Sequence, residues 1–263
     1  RSIPAFRKAY PDIVIEAQRA SSAQLAAKID QERATGTDGA DVSSSTEIAW
    51  MLGLSKQGLL LKPSGPGLIG YPAQHIHDGN VVTLASEPLV LVYNKSLVPT
   101  PPKSYADLLR AEFRGRVGAP DLVATLIIAW YDWLEKNQGP DYLNRLRAQN
   151  PKLYSGAVPL TQAVASGELS VGAFTTPATA VGLIASGAPI AMMMPSPAAG
   201  SMHLGVAFRW SKRPNAALVL IDWLMSEEGQ MVGVGQSETA SPRRGIARSL
   251  DFASIIPLDV NAY

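Results

Sequence analysis

Three short stretches of this chain put hydroxyl groups where a strand gives way to a helix. Ser43-Ser44-Ser45-Thr46 follows Ala40-Asp41-Val42 and precedes a helical pattern carrying Trp50, Met51 and Leu54. Asp121-Leu122-Val123-Ala124-Thr125 follows Val117-Gly118-Ala119, and Thr175-Thr176-Pro177 follows the apolar run from Leu169 to Phe174. The first amides of a helix have no partner within it, and the aligned peptide dipoles leave them electropositive. Hydroxyls and amides at such junctions can hold an oxyanion. The same residues also serve as ordinary helix caps, which takes a single side chain per helix. Both uses stand open for Ser44, Ser45, Thr46, Ala124, Thr125 and Thr176, while capping is favoured for Asp121. Ser155 and Thr175 belong to the same set of hydroxyls.

Other residue types offer less. His75-Ile76-His77-Asp78 alternates two imidazoles, which on a strand would share a face and could share a metal. Gly and Pro flank this segment and no third ligand stands at a telling distance, so it reads as a solvated loop. His203 is the only other histidine; it either faces a ligand or is structural. The five tryptophans mostly sit at helical spacing beside Leu, Ile or Met, which is core packing. Tyr93 and Trp210 are the aromatics to test as a ligand wall. Met192-Met193-Met194 reads as a buried strand, and Arg243-Arg244 as a surface pair. There is no nucleophile elbow, phosphate loop, zincin helix or dinucleotide fingerprint. Asp121, Glu47 and His203 are the titratable groups that an enzyme reading would have to use.

The elements that position these residues alternate. Ser2 to Ala9 reads as an amphipathic helix, Ile13 to Ala17 as a strand, and Ser21-Ser22 as the cap of a helix to about Glu32. A helix follows from Glu47 to Gln57, then a Gly- and Pro-rich irregular stretch from Lys62 to Asn80. Val81 to Leu84 and Pro88 to Tyr93 read as two antiparallel strands. Ser104 caps a short helix and Val117 to Ala119 is a strand. Helices are expected at Leu122 to Lys136, Tyr142 to Gln149, Leu160 to Ser166, Pro177 to Ser186, Asn215 to Met225 and Ser226 to Val232. Strands are expected at Leu169 to Phe174, Ile190 to Met194 and Leu204 to Phe208. Alternating strands and helices imply an α/β fold with mostly parallel sheets covered on both faces.

Bulk properties bound the function. The chain has 263 residues, 46% hydrophobic and 17% charged, and is long enough for two medium domains. Its net charge of +1 leaves no electrostatic footprint for nucleic acid. Absence of cysteine excludes disulfides, thiolate metal sites and cysteine nucleophiles. No apolar run reaches the ~20 residues that span a bilayer.

The segments L-V-Y-N-K-S-L-V-P at 91–99, P-K-S-Y-A-D-L-L at 102–109 and F-R-G-R-V at 113–117 resemble the hinge of the extracellular solute-binding proteins that serve ABC importers. A-D-V-S-S-S-T-E at 40–47, V-A-S-G-E-L-S-V-G at 164–172 and W-L-M-S-E-E-G-Q at 223–230 extend that resemblance in the family's order. The nearest branch is the one that includes the ferric-iron binders and their organic-ligand relatives.

The resemblance implies a two-lobe periplasmic-binding-protein-like fold. The expected lobes are 1–92 with 206–235 and 93–205 with 236–263, joined by hinge strands near 88–95 and 203–209. The implied protein is a periplasmic monomer, exported and freed of its signal peptide. It would hold a small anionic or polar organic ligand, such as a carboxylate, phosphonate or phosphate, in the cleft between lobes that close over it. Docking on the permease subunits of an ABC importer would follow, with no cofactor and no nucleic acid. The cleft residues so expected are Ser44, Ser45, Thr46, Tyr93, Asp121, Ala124, Thr125, Ser155, Thr175, Thr176 and His203. The resemblance also implies a strand and loop ahead of the helix at Ser2, which the sequence does not show, and hence an altered first-lobe site. The ferric-iron members carry two adjacent tyrosines near Thr175-Thr176 and a glutamate near Thr46. Here no tyrosine lies between Tyr154 and Tyr263, which argues against iron. A ferric-iron binder is the first alternative, an enzyme on the same scaffold the second, and the sensing half of a regulator the third.

Overall fold

The computed structural model describes residues 2–18, 20, 22–235, 238–258 and 260. In chain order the elements are α1 (Ser2–Ala9), α2 (Ser22–Thr35), β1 (Val42–Ser45), α3 (Ile48–Lys56), β2 (Ile76–His77), β3 (Val81–Pro88), β4 (Val90–Asn94) and β5 (Val117–Pro120). They continue with α4 (Thr125–Gln138), α5 (Tyr142–Ala148), β6 (Lys152–Tyr154), α6 (Ala157–Ala165), β7 (Val171–Thr175), α7 (Pro177–Ala185) and β8 (Ile190–Met193). Last come β9 (Ala198–Ala207), α8 (Pro214–Met225), α9 (Glu227–Gly233) and β10 (Ile255–Pro257). Short 3-10 turns fill several of the connections. One of them, Tyr105–Leu109, starts at a reciprocal capping box between Ser104 and Asp107.

The chain folds into two compact units, Arg1–Ser86 with Met202–Phe252, and Glu87–Ser201 with Ala253–Tyr263. It passes between them inside β3, inside β9 and again ahead of β10. This division differs from the expected lobes in three places. Residues 87–92 belong to the second unit, 202–205 to the first, and 238–252 also to the first. The last difference has a local cause: Ala240 bridges both Ser86 and Leu250, and its backbone exchanges two hydrogen bonds with Ser86 at 2.9 and 2.8 Å.

In the first unit the strand order is β1-β9-β3-β2. Successive strand residues face opposite ways, and the two faces bury different sets. Val81, Leu204 and Val206 pack with Ile29, Met51, Leu54, Leu60 and Phe208. Val82, Leu84 and Ala207 pack with Tyr71, Ala217, Ile221 and Met225. Helices α2 and α3 therefore cover one face and α8 the other.

In the second unit the order is β6-β5-β7-β4-β8. β5 pairs parallel with both β6 and β7, and β4 runs antiparallel to β7 and β8. One core cluster joins Leu91, Val92, Val117, Val171 and Ala173 of the sheet to Trp130 and Leu134 of α4 and Leu160 and Val164 of α6. Helix α6 lies directly on two strand glycines. A Cβ on Gly172 would stand 2.2 Å from Leu160 Cδ2 and 2.8 Å from Val92 Cγ1, and one on Gly118 would stand 2.5 Å from Leu169 Cδ1.

Three expectations are corrected here. Ile13 to Ala17 forms no strand: Val14 is 74% exposed, and alternation without a ladder partner does not make a sheet. The serines after Val42 are not a turn; Val42–Ser45 is itself the strand, held by antiparallel pairing of Val42 with Ala207 through Ser45 with Leu204. The segments at 81–84 and 88–93 do not pair with each other: β3 belongs beside β9 and β2, and β4 between β7 and β8.

Because α6 rests on a bare backbone, G172A is expected to destabilise the second unit by about 1–3 kcal/mol through overpacking. Urea denaturation monitored by tryptophan fluorescence measures this. A midpoint unchanged from the parent would show that α6 is free to shift.

Candidate functional site

The parallel run β6-β5-β7 brings three chain exits to one edge of the second unit. Asp121 to Thr125 leaves β5 for α4, Ser155-Gly156 leaves β6 for α6, and Thr176 leaves β7 for α7. In open parallel sheets the carboxyl ends of the strands are where ligands bind. The exits are tied together through backbone. Asp121 N donates to Tyr154 O at 2.7 Å, and Val123 N donates to Asp121 O at 2.8 Å. The Asp121 carboxylate accepts from Leu122 N at 2.8 Å. Tyr131, in the second turn of α4, donates its hydroxyl to Pro120 O at 2.7 Å and so holds the helix to its strand.

None of the three helices is capped by a side-chain hydrogen bond. The N-cap residues are Ala124, Gly156 and Thr176. Asp121, the expected cap of α4, lies three residues too early and closes the turn instead. Thr125 and Ser155 are exposed, and the Thr176 hydroxyl meets the Thr179 hydroxyl at 3.1 Å. Thr175 is fully buried. Its hydroxyl is 2.6 Å from that of Thr161, which donates onward to Ala157 O at 2.7 Å. Thr175 thus fastens β7 to the first turn of α6 and does not reach the edge.

Tyr93 is remote from this edge. Val90 is the β4 residue opposite Thr175, whereas Tyr93 lies opposite Val171 at the other end of β7 and packs on the core. Trp210 stacks on Phe208 at 4.3 Å, with the Arg33 guanidinium 5.7 Å from its ring centre. It is a wall of the first unit's own packing.

The first unit holds the remaining candidates. Ser44 is exposed opposite Gly205, and Ser45 is buried opposite Leu204. Ser45 Oγ accepts from Glu47 N at 3.1 Å, closing the turn before α3. Thr46 donates its hydroxyl to Ser22 Oγ at 3.1 Å, and its amide lies 3.4 Å from the same oxygen. Ser22, at the start of α2, thus joins the hydroxyl group at 44–46. Sequence reasoning saw only its capping role, because the 24-residue separation carries no periodic signal. His203 immediately precedes Leu204 on β9 and is half-buried.

His75 and His77 have structural partners. His75 meets the Phe252 ring edge-on at 4.5 Å, and His77 Nε2 lies 2.8 Å from Thr83 Oγ1. Among the described residues no group of three or more His, Cys, Asp and Glu is arranged to hold a metal ion.

The profile of the bacterial extracellular solute-binding protein family matches residues 1–232. The chain belongs to that family. No match is found among proteins of curated function. Solved structures of the same fold include the substrate-binding protein of an ABC transporter from Agrobacterium tumefaciens. It shares 20% identity, covers 98% of this chain and 83% of its own, and gives a TM-score of 0.82. Iron-bound HitA from Pseudomonas aeruginosa shares 23% identity over 96% of this chain and 86% of its own, with a TM-score of 0.76. AfuA from Actinobacillus pleuropneumoniae, with exogenous fructose-6-phosphate bound, shares 18% identity over 98% and 86%, with a TM-score of 0.74. These are two-lobe binding proteins, and the two units described above share that fold. A solute-binding protein of this family serves a small molecule and an ABC permease. Among the described residues no helix is long and apolar enough to cross a membrane.

Two predictions follow from these contacts. T161V leaves the buried Thr175 hydroxyl without its partner and is expected to cost about 1–3 kcal/mol, while T161V/T175V recovers part of that loss. Chemical denaturation of the three proteins tests this; additive losses would show that the two hydroxyls act independently. Burial, the leading cause, holds the imidazoles of His75 and His77 below their ordinary value of 6.5. The unfolded chain then binds more protons as pH falls below about 6.5, so this contribution to stability is complete above that pH and is lost on acidification. Melting curves between neutral pH and pH 5 are expected to show a smaller acid loss in H75Q/H77Q than in the parent.

Proposed function

We propose that this chain is the periplasmic solute receptor of an ABC importer, and that its solute is a small organic anion. The carrying observation is the gathering of three uncapped helix starts, at Ala124, Gly156 and Thr176, on one edge of a parallel sheet. Amides and hydroxyls in such an array suit a carboxylate, phosphonate or phosphate. Asp121 is the one carboxylate in these exits, and its oxygen is already engaged by Leu122 N. In this reading Thr125, Ser155 and Thr176 supply hydroxyls, Ala124 supplies backbone, and Asp121 and Thr175 shape the exits. Ser44, Thr46 and His203 are the first unit's own candidates for ligand contact.

The likeness to a protein crystallised with fructose-6-phosphate agrees with an anionic solute. The likeness to an iron-bound protein raises ferric ion as the second reading. Ferric ion prefers hard anionic ligands. Of the phenols at these exits, Tyr131 donates to Pro120 O at 2.7 Å and Tyr154 to Glu168 at 2.8 Å, and burial with that carboxylate pushes the Tyr154 pKa up to about 12. The reading also makes the protein a monomer that performs no catalysis and binds no nucleic acid.

A thermal-shift screen of carboxylates, phosphonates, inorganic phosphate, sugar phosphates and ferric ion tests this. A ligand at a hundredfold excess over its Kd adds about 2.7 kcal/mol, or roughly 5–10 °C for a chain of this size. T125V and T176V are each expected to weaken an anion that stabilises the protein by about fivefold, one hydrogen bond's worth. Stabilisation by ferric ion alone would overturn the proposal.

A further inference from the structure

Among the described residues eleven large apolar side chains are exposed, and four of them fall at two adjacent chain exits of the second unit. Leu122 is 63% exposed and Val123 60%, both in the turn between β5 and α4. Ile128, in the first turn of α4, is 36% exposed, and Val158, in the first turn of α6, is 55% exposed. All four belong to the same chain exits as Thr125 and Ser155. β6 and β5 are adjacent strands, so these exits lie about 5 Å apart at the sheet. Isolated exposed apolar residues need no explanation, but a cluster beside a binding edge marks what the ligand offers.

We propose that the solute carries hydrocarbon beside its negative group: an aliphatic or aryl carboxylate or phosphonate, not an inorganic oxyanion or a sugar phosphate. This rests on the anion reading given above and narrows it. An inorganic anion gains nothing from Leu122, Val123 or Val158. A sugar phosphate would have to bring its ring hydroxyls against the same exposed Leu122, Val123 and Val158 side chains, which offer them no hydrogen bond. A hydrocarbon chain or phenyl ring laid across Val123 and Val158 removes apolar surface of both partners from water, which is the dominant favourable term in such contacts.

Calorimetric titration of the full chain with acetate, butyrate, hexanoate and phenylacetate, and in parallel with inorganic phosphate, phenylphosphonate and glucose 6-phosphate, tests this. The expected result is an affinity that rises by about fourfold per buried methylene, with phenylphosphonate tighter than phosphate. V123S/V158S, changed only at exposed positions, is expected to lose that rise. Phosphate or glucose 6-phosphate binding more tightly than hexanoate and phenylphosphonate would overturn the inference and leave the anion reading standing. Failure of every anion in both series would overturn the anion reading beneath it.

Discussion

The candidate site depends on the parallel pairing of β5 with β6 on one side and β7 on the other. Parallel strands send their chains out at the same end, so each following helix begins there. Three helix starts arise from three places in the sequence, yet they meet because the hydrogen-bond ladder leaves them no other edge. The ladder in turn needs α6 to lie close, and Gly118 and Gly172 are what let Leu160 and Leu169 come down onto the sheet. Residues with no polar atom in their side chains thus set where the polar ones stand.

Division of labour among the hydroxyls follows from burial. Thr175 and Thr161 satisfy each other inside the unit, where an unpaired hydroxyl would be costly. Thr125 and Ser155 are exposed and have no such obligation, which is what qualifies them for a ligand. The same contrast holds in the first unit, where Ser45 is spent on Glu47 N while its neighbour Ser44 is exposed. Adjacent residues of one type therefore do different work, because a strand turns them to opposite faces.

Membership in the extracellular solute-binding family supplies the role, and the proposed ligand chemistry rests on the strand exits of the second unit. Relatives of one fold carry cargoes as different as iron and a sugar phosphate. Here the lining of the strand exits combines backbone amides and hydroxyls with bare Leu, Val and Ile side chains, and its single carboxylate is already engaged.

Much was legible in the sequence alone. Helix and strand periodicity located most elements, including α1, α5, α7, β5 and β8, because each buries an apolar face whose spacing is local. The junctions at 121–125 and 175–177 were legible as strand-to-helix exits for the same reason. Tertiary structure decided the rest. Ile13 to Ala17 alternates like a strand but finds no neighbour, and pairing is not written in a segment's own pattern. β3 and β4, adjacent in sequence, went to different sheets because the chain crosses between units at Ser86 and Glu87. Strand register set Tyr93 at the other end of β4 from the strand exits, and packing turned Thr175 inward onto Thr161. Ser22 was brought to Thr46, and Val158 to the exit beside Leu122, across separations that only the folded chain closes.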